Sequence, residues 1–135
     1  MAEIVRNQDP VIAPPTTTVK QACARMRDRH VGAVLVTDSS RRLVGIFTGR
    51  DAVCRVLAEG KDPATTTLGE VMTSNPHSLP PTRTAVDALR LMQDCGFRHV
   101  PVVDRDKLLG VVSRGDFRAP EQDRIEEETL LWERI

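Results

Sequence analysis

Apolar residues fall along this chain in two spacings. Val19, Ala22, Cys23 and Met26 lie three or four apart, the period of one helix face, behind a Thr18 that has Gln21 three residues on. The spacing predicts a helix to about Arg29. Residues 33–37 and 43–47 are short runs rich in Val and Ile, split by Asp38, Ser39, Ser40 and Arg41, and so read as two paired strands. Because the runs are nearly continuous rather than alternating, both faces of the sheet should be covered, with helices as the expected cover. A second helix is expected from Gly49, carrying Ala52, Val53, Val56 and Leu57 and stopped by Gly60. A polar connection over 61–66 then leads to a single helical turn over 67–72, where Thr67 and Glu70 form another capping pair.

The same pattern is then written again. Pro10, Pro14, Pro15, Thr16, Thr18, Ala22, Met26, Asp28, Val34, Val36 and Asp38 recur 66 residues later, from Pro76 to Asp104. After one residue drops out of a turn, the register becomes 65, which aligns Leu43, Gly45, Thr48 and Asp51 with Leu108, Gly110, Ser113 and Asp116. An internal duplication follows. In the second copy Thr84 and Asp87 cap a helix with Val86, Leu89 and Met92 on its buried side and Gly96 at its end, and 99–103 and 108–112 are the strands. Pro120 cuts the last helix short and starts a C-terminal one, in which Trp132 reads as a packing residue. The expected organisation is a first repeat over 1–66, a second with its lead-in over 67–118, and a C-terminal helix over 119–135, in an α/β (α+β) fold of two pseudo-symmetric halves. Each half of about 60 residues is marginal alone, so the two should share a core.

Composition narrows the function classes. Nineteen basic and nineteen acidic residues cancel, and three Phe, one Trp and no Tyr leave few platforms for bases, so no nucleic acid is expected. No apolar run approaches the ~20 residues of a membrane span, and the first ten residues are polar, which reads as a cytoplasmic chain without membrane contact. Cys23, Cys54 and Cys95 have no C-x-x-C spacing and His30, His77 and His99 no metal-ligand spacing; Cys23, aligned with Leu89, reads as a small core residue.

The candidate chemistry lies where each hairpin ends. Gly45-Ile46-Phe47-Thr48-Gly49-Arg50-Asp51 and Gly110-Val111-Val112-Ser113-Arg114-Gly115-Asp116 both spell G-h-h-(T/S)-x-x-D, where h is apolar. The Thr or Ser with its Asp is a helix capping box, which alone accounts for about 0.5–2 kcal/mol of stability. The other caps lack the glycine and the preceding strand. A strand delivered straight into a helix leaves N–H groups for an anion, and an acid one turn in can accept from two vicinal ribose hydroxyls.

The duplicated helix-strand-strand-helix unit, these two motifs, Val71-Met72-Thr73 and Phe97-Arg98-His99-Val100-Pro101-Val102-Val103-Asp104 together resemble a tandem pair of cystathionine-beta-synthase (CBS) domains, the Bateman module. The resemblance covers the chain from Asp9 to Phe117. It implies two clefts between the repeats that bind adenosine-containing ligands (AMP, ADP, ATP, S-adenosylmethionine or NAD) and pairing into flat dimers. Carried over by position, it implies that Asp51 and Asp116 hold ribose hydroxyls, with Thr48 and Ser113 near ribose or phosphate. Arg98 and His99 would contact phosphate, Arg50 and Arg114 add charge, and Thr73 and His77 lie on the adenine side. The counterparts of Arg98 and His99 are Gly32 and Ala33, so the clefts should be unequal. Arg6 and Val11 match Met72 and His77, so the N-terminal segment is expected to complete one of them.

The leading expectation is therefore a non-catalytic sensor of adenine nucleotide, needing no other cofactor, acting as a homodimer read by a protein in trans. A ligand-free dimerisation module is the alternative, and a nucleotide-processing enzyme a remote one, since no nucleophile with its base, metal cluster or P-loop is present.

Overall fold

The computed structural model describes residues 10–116. The expected C-terminal helix with Pro120 and Trp132, and the expected role of Arg6, lie outside them. In the first repeat β1 (Ile12–Ala13), α1 (Val19–Arg29), β2 (Ala33–Thr37) and β3 (Leu43–Thr48) lead into α2, which starts as Gly49–Asp51 and continues as a π-helix over Ala52–Leu57. There follow α3 (Leu68–Val71), β4 (Thr73–Ser74), α4 (Ala85–Cys95), β5 (His99–Asp104), β6 (Lys107–Ser113) and a 3₁₀ turn, Arg114–Asp116. The fold is mixed α+β.

The helix starts follow from the caps. Thr18, Thr48 and Thr84 each sit in extended backbone, accept from the amide three residues on, and receive the side chain of Gln21, Asp51 or Asp87 in return. Gly96 ends α4 in the left-handed region at φ 75°; in the first repeat His30 occupies the matching position at φ 54°, a conformation uncommon for a side-chain-bearing residue.

Four strands form one sheet in the order β1-β2-β3-β4, with Ile12 opposite Leu35, Leu35 opposite Ile46, and Gly45 opposite Ser74. β5 and β6 form an antiparallel pair, and Leu79 bridges in parallel to Val102 as Ala13 does to Val36. The strand that closes the first sheet thus comes from the segment expected to lead into the second repeat. Leu68 and Val71 from the same segment are buried in the first core with Val19, Ala22, Met26, Val34, Val36, Phe47 and Val56.

Every residue of β2 is buried, but the cover differs from the sequence expectation. Val34 and Val36 face the helices, whereas Ala33, Leu35 and Ile46 on the opposite face pack with Leu108 and Val111 of the second repeat. Sheet packs on sheet at the centre, because a pseudo-symmetric pair can bury one apolar face of each half against the other without further helices. Val86 is a second correction. It is 55% exposed, since the buried stripe of α4 runs through Ala85, Ala88, Leu89 and Met92 and leaves Val86 one position off that face. Cys23 is partly buried against the first core, and burial pushes its thiol pKa up, as suits a packing residue.

Candidate functional site

β3 and β6 each deliver a hydroxyl–carboxylate pair to the start of a helical turn. Asp51 Oδ2 accepts from the Thr48 amide at 2.9 Å and from Thr48 Oγ1 at 3.2 Å; Asp116 Oδ2 accepts from the Ser113 amide at 2.7 Å and Ser113 Oγ at 3.2 Å. The amide of the next residue is engaged too. Gly49 N–H donates to the Gly32 carbonyl at 3.2 Å, and Arg114 N–H to the Arg98 carbonyl at 3.1 Å. The open N–H cluster expected from sequence is therefore partly filled, because the residue before each first hairpin strand lies beside the end of its partner strand. What each motif offers a ligand is chiefly its second carboxylate oxygen.

The two carboxylates stand in different surroundings. The Asp51 side chain is 12% exposed and its Oδ1 lies 3.6 Å from Arg55 Nε. Asp116 is exposed and lines a cavity of about 300 Å³ between the repeats. From the first repeat the cavity takes Pro10, Val11, His30, Val31, Gly32 and Ala33; from the second it takes His99, Val111, Ser113 and Asp116. The wall at Gly32 is close. A methyl group built there would lie 3.2 Å from His99 Nε2, so backbone and imidazole meet at near contact distance.

His99 is neutral at physiological pH. Burial, with the positive charge of Arg98 beside it, pushes its pKa down to about 4 against the opposing pull of Asp116. It brings hydrogen-bonding capacity to the cavity but no charge.

Of the residues expected at a site, the structure brings His99, Ser113 and Asp116 together here. Thr48, Arg50, Asp51, Thr73, His77, Arg98 and Arg114 do not line this cavity. Arg50 is exposed; Thr73 lies in β4, and the His77 ring packs with Phe97 at a centroid distance of 5.2 Å. Through the repeat register, Thr48 and Asp51 match Ser113 and Asp116, while His77 matches Val11. Those three residues therefore stand at positions that the repeat relates to the lining of this cavity. Val11 lines the cavity, as its match to His77 suggested, whereas His30, Val31 and Val111 line it without being among the site residues expected from sequence. His30 aligns with the helix-ending Gly96, and that mismatch was the available signal.

Known proteins resemble this chain in sequence and fold. The CBS domain family profile matches residues 2–57 and 68–119. A CBS domain-containing protein of Arabidopsis thaliana, CBSCBSPB2, is 45% identical over 96 residues, 71% of this chain and 18% of that protein. The chain thus corresponds to under a fifth of the length of that relative. The Bacillus subtilis CBS domain-containing protein YhcV is 35% identical over 102 residues, covering 76% of this chain and 71% of its own. Among solved structures, a CBS domain protein from Pyrobaculum aerophilum complexed with AMP superposes with a TM-score of 0.80 at 25% identity, covering 95% of this chain and 97% of that one. With the motif geometry, the family profile and these relatives in agreement, the chain belongs to the CBS domain family and carries the domain twice.

Proposed function

We propose that this chain is a non-catalytic regulatory module that holds an adenosine-containing small molecule in the cleft between its repeats. The observation that carries the reading is the cavity of about 300 Å³ ending at the Ser113–Asp116 pair, a size at the lower end for small-molecule sites. Asp116 Oδ1, not used by the cap, accepts from ribose hydroxyls, and Ser113 stands beside the sugar. Pro10, Val11, Val31 and Val111 give an apolar wall for the base, against which neutral His99 supplies a directed hydrogen bond. The AMP-complexed Pyrobaculum relative supports the class of ligand. Thr48, Arg50 and Asp51 of the first motif, with Thr73, His77 and Arg98, form the second, unequal cleft, while Arg114 adds charge within the Ser113–Asp116 motif. Binding stabilises one arrangement of a homodimer, and a separate protein reads that arrangement in trans.

A thermal-shift panel of AMP, ADP, ATP, S-adenosylmethionine, NAD and cyclic dinucleotides tests the reading, since a ligand of the folded state raises apparent stability with ln(1 + [L]/Kd). At least one adenosine derivative should raise the transition. Hydrogen bonds to a charged group are worth roughly 1.5–3 kcal/mol, so Asp116→Ala should weaken that binding by about tenfold or more, and Asp51→Ala by less. Silence toward the whole panel would instead favour a ligand-free dimerisation module.

A further inference from the structure

The two carboxylates of the repeated motif differ in one partner. Both use Oδ2 for their own cap. Asp51 Oδ1, however, faces the Arg55 guanidinium at 3.6 Å, and the same guanidinium donates through Nη1 to the carbonyls of Val71 at 3.3 Å and Met72 at 3.0 Å. Arg55 is thus anchored at both ends, with Asp51 on one side and the segment that enters β4 on the other. In the second repeat the sequence position equivalent to Arg55 holds no cation. The register that sets Asp116 opposite Asp51 sets Pro120 opposite Arg55, and proline carries neither charge nor donor.

We infer that Arg55 closes the first-repeat motif to ligand, so that the chain binds one nucleoside at Asp116 while Asp51 serves the fold. The inference rests on the proposed adenosine site and names which of the twin acids is available to it. A ribose at Asp51 has to displace a guanidinium that stands in ion-pair range of Oδ1 and is hydrogen-bonded to two backbone carbonyls, and the 12% exposure of that side chain leaves little room to do so. A ribose at Asp116 meets an exposed carboxylate in a cavity that the described residues already form. Arg55 is therefore a determinant of stoichiometry, and the sequence asymmetry between Arg55 and Pro120 is its origin.

Calorimetric titration of the full chain with AMP, and with adenosine in parallel, tests this. The wild type should bind one ligand per chain, and Asp116→Ala should abolish that site while Asp51→Asn retains it. Arg55→Met should bind a second ligand per chain, lost again when Asp51→Asn is added. Arg55→Gln, which removes the charge but keeps donors for the Val71 and Met72 carbonyls, guards against a variant that merely loosens that segment, and should also bind two. Two ligands per wild-type chain would overturn the inference, as would a folded Arg55→Gln that still binds one. Binding by Arg55→Met alone, with none by the wild type, would sink the Asp116 site and leave the role of Arg55 standing. No heat from any variant would refute both.

Discussion

His99 couples the cavity to pH. Its folded pKa of about 4 lies below the 6.5 of an unperturbed histidine, so between those values the unfolded chain holds a proton that the folded chain refuses. Unfolding takes up a proton in that window, and stability falls as pH drops from 6.5 towards 4. A shift of this size corresponds to a loss on the order of 3 kcal/mol at the acid end. His99→Gln should flatten the pH dependence of the melting temperature between pH 6.5 and 4.5. An unchanged slope in that variant would assign the proton to another group. The capping acids Glu70 and Asp87 have pKa values lowered chiefly by the amides they accept from, so their contribution is full above the ordinary carboxylate pKa and is lost as pH falls from there through the lowered folded value.

Among the elements, β3 shows why the motif begins with glycine. A methyl group on Gly45 would run into the Met72 side chain and approach the Thr73 carbonyl at 3.0 Å, because Met72 leads into β4, which pairs alongside β3 with Ser74 opposite Gly45. Gly45→Ala should therefore destabilise the protein by about 1–3 kcal/mol, measurable by urea unfolding, as overpacking does at close contacts. A variant as stable as the wild type would mean that β4 yields at little cost. The ends of the elements were legible because Thr18–Gln21, Thr48–Asp51 and Thr84–Asp87 are chemical signals within one turn. What covers each face was not. A run such as 33–37 reports that β2 is buried, yet its period cannot distinguish a helix from the opposing sheet, and it was Leu108 and Val111 that closed the face. The π-helical stretch was also hidden. There the amides of Ala58 and Lys61 reach back five residues, to Val53 and Val56, although the local sequence reads as an ordinary helix. At the site, the acid and hydroxyl of each motif were readable from the repeat, but Arg55 was not. Its carbonyl partners lie 16 and 17 residues away, and the only trace in the sequence is an acid with a base four positions on in one copy and a proline in the other.

For the molecule as a whole, two half-size cores are joined through the face formed by Ala33, Leu35 and Ile46 with Leu108 and Val111. Leu35 is fully buried there, so Leu35→Ala should cost about 2–5 kcal/mol and lower the stability of both repeats in one transition. Separate melting of the halves in that variant would show that the face does not couple them. The unit that was copied and the unit that packs are also out of phase, because α3 and β4 follow the first repeat in sequence yet complete its core and sheet. A chain cleaved after residue 66 loses Leu68, Val71 and a strand from its N-terminal piece, while one opened at 77–78 keeps all three. Circular permutants and split-fragment pairs should accordingly tolerate new termini at 77–78 and reject them at 66, so the seam for engineering this fold lies about ten residues beyond the seam of its gene duplication.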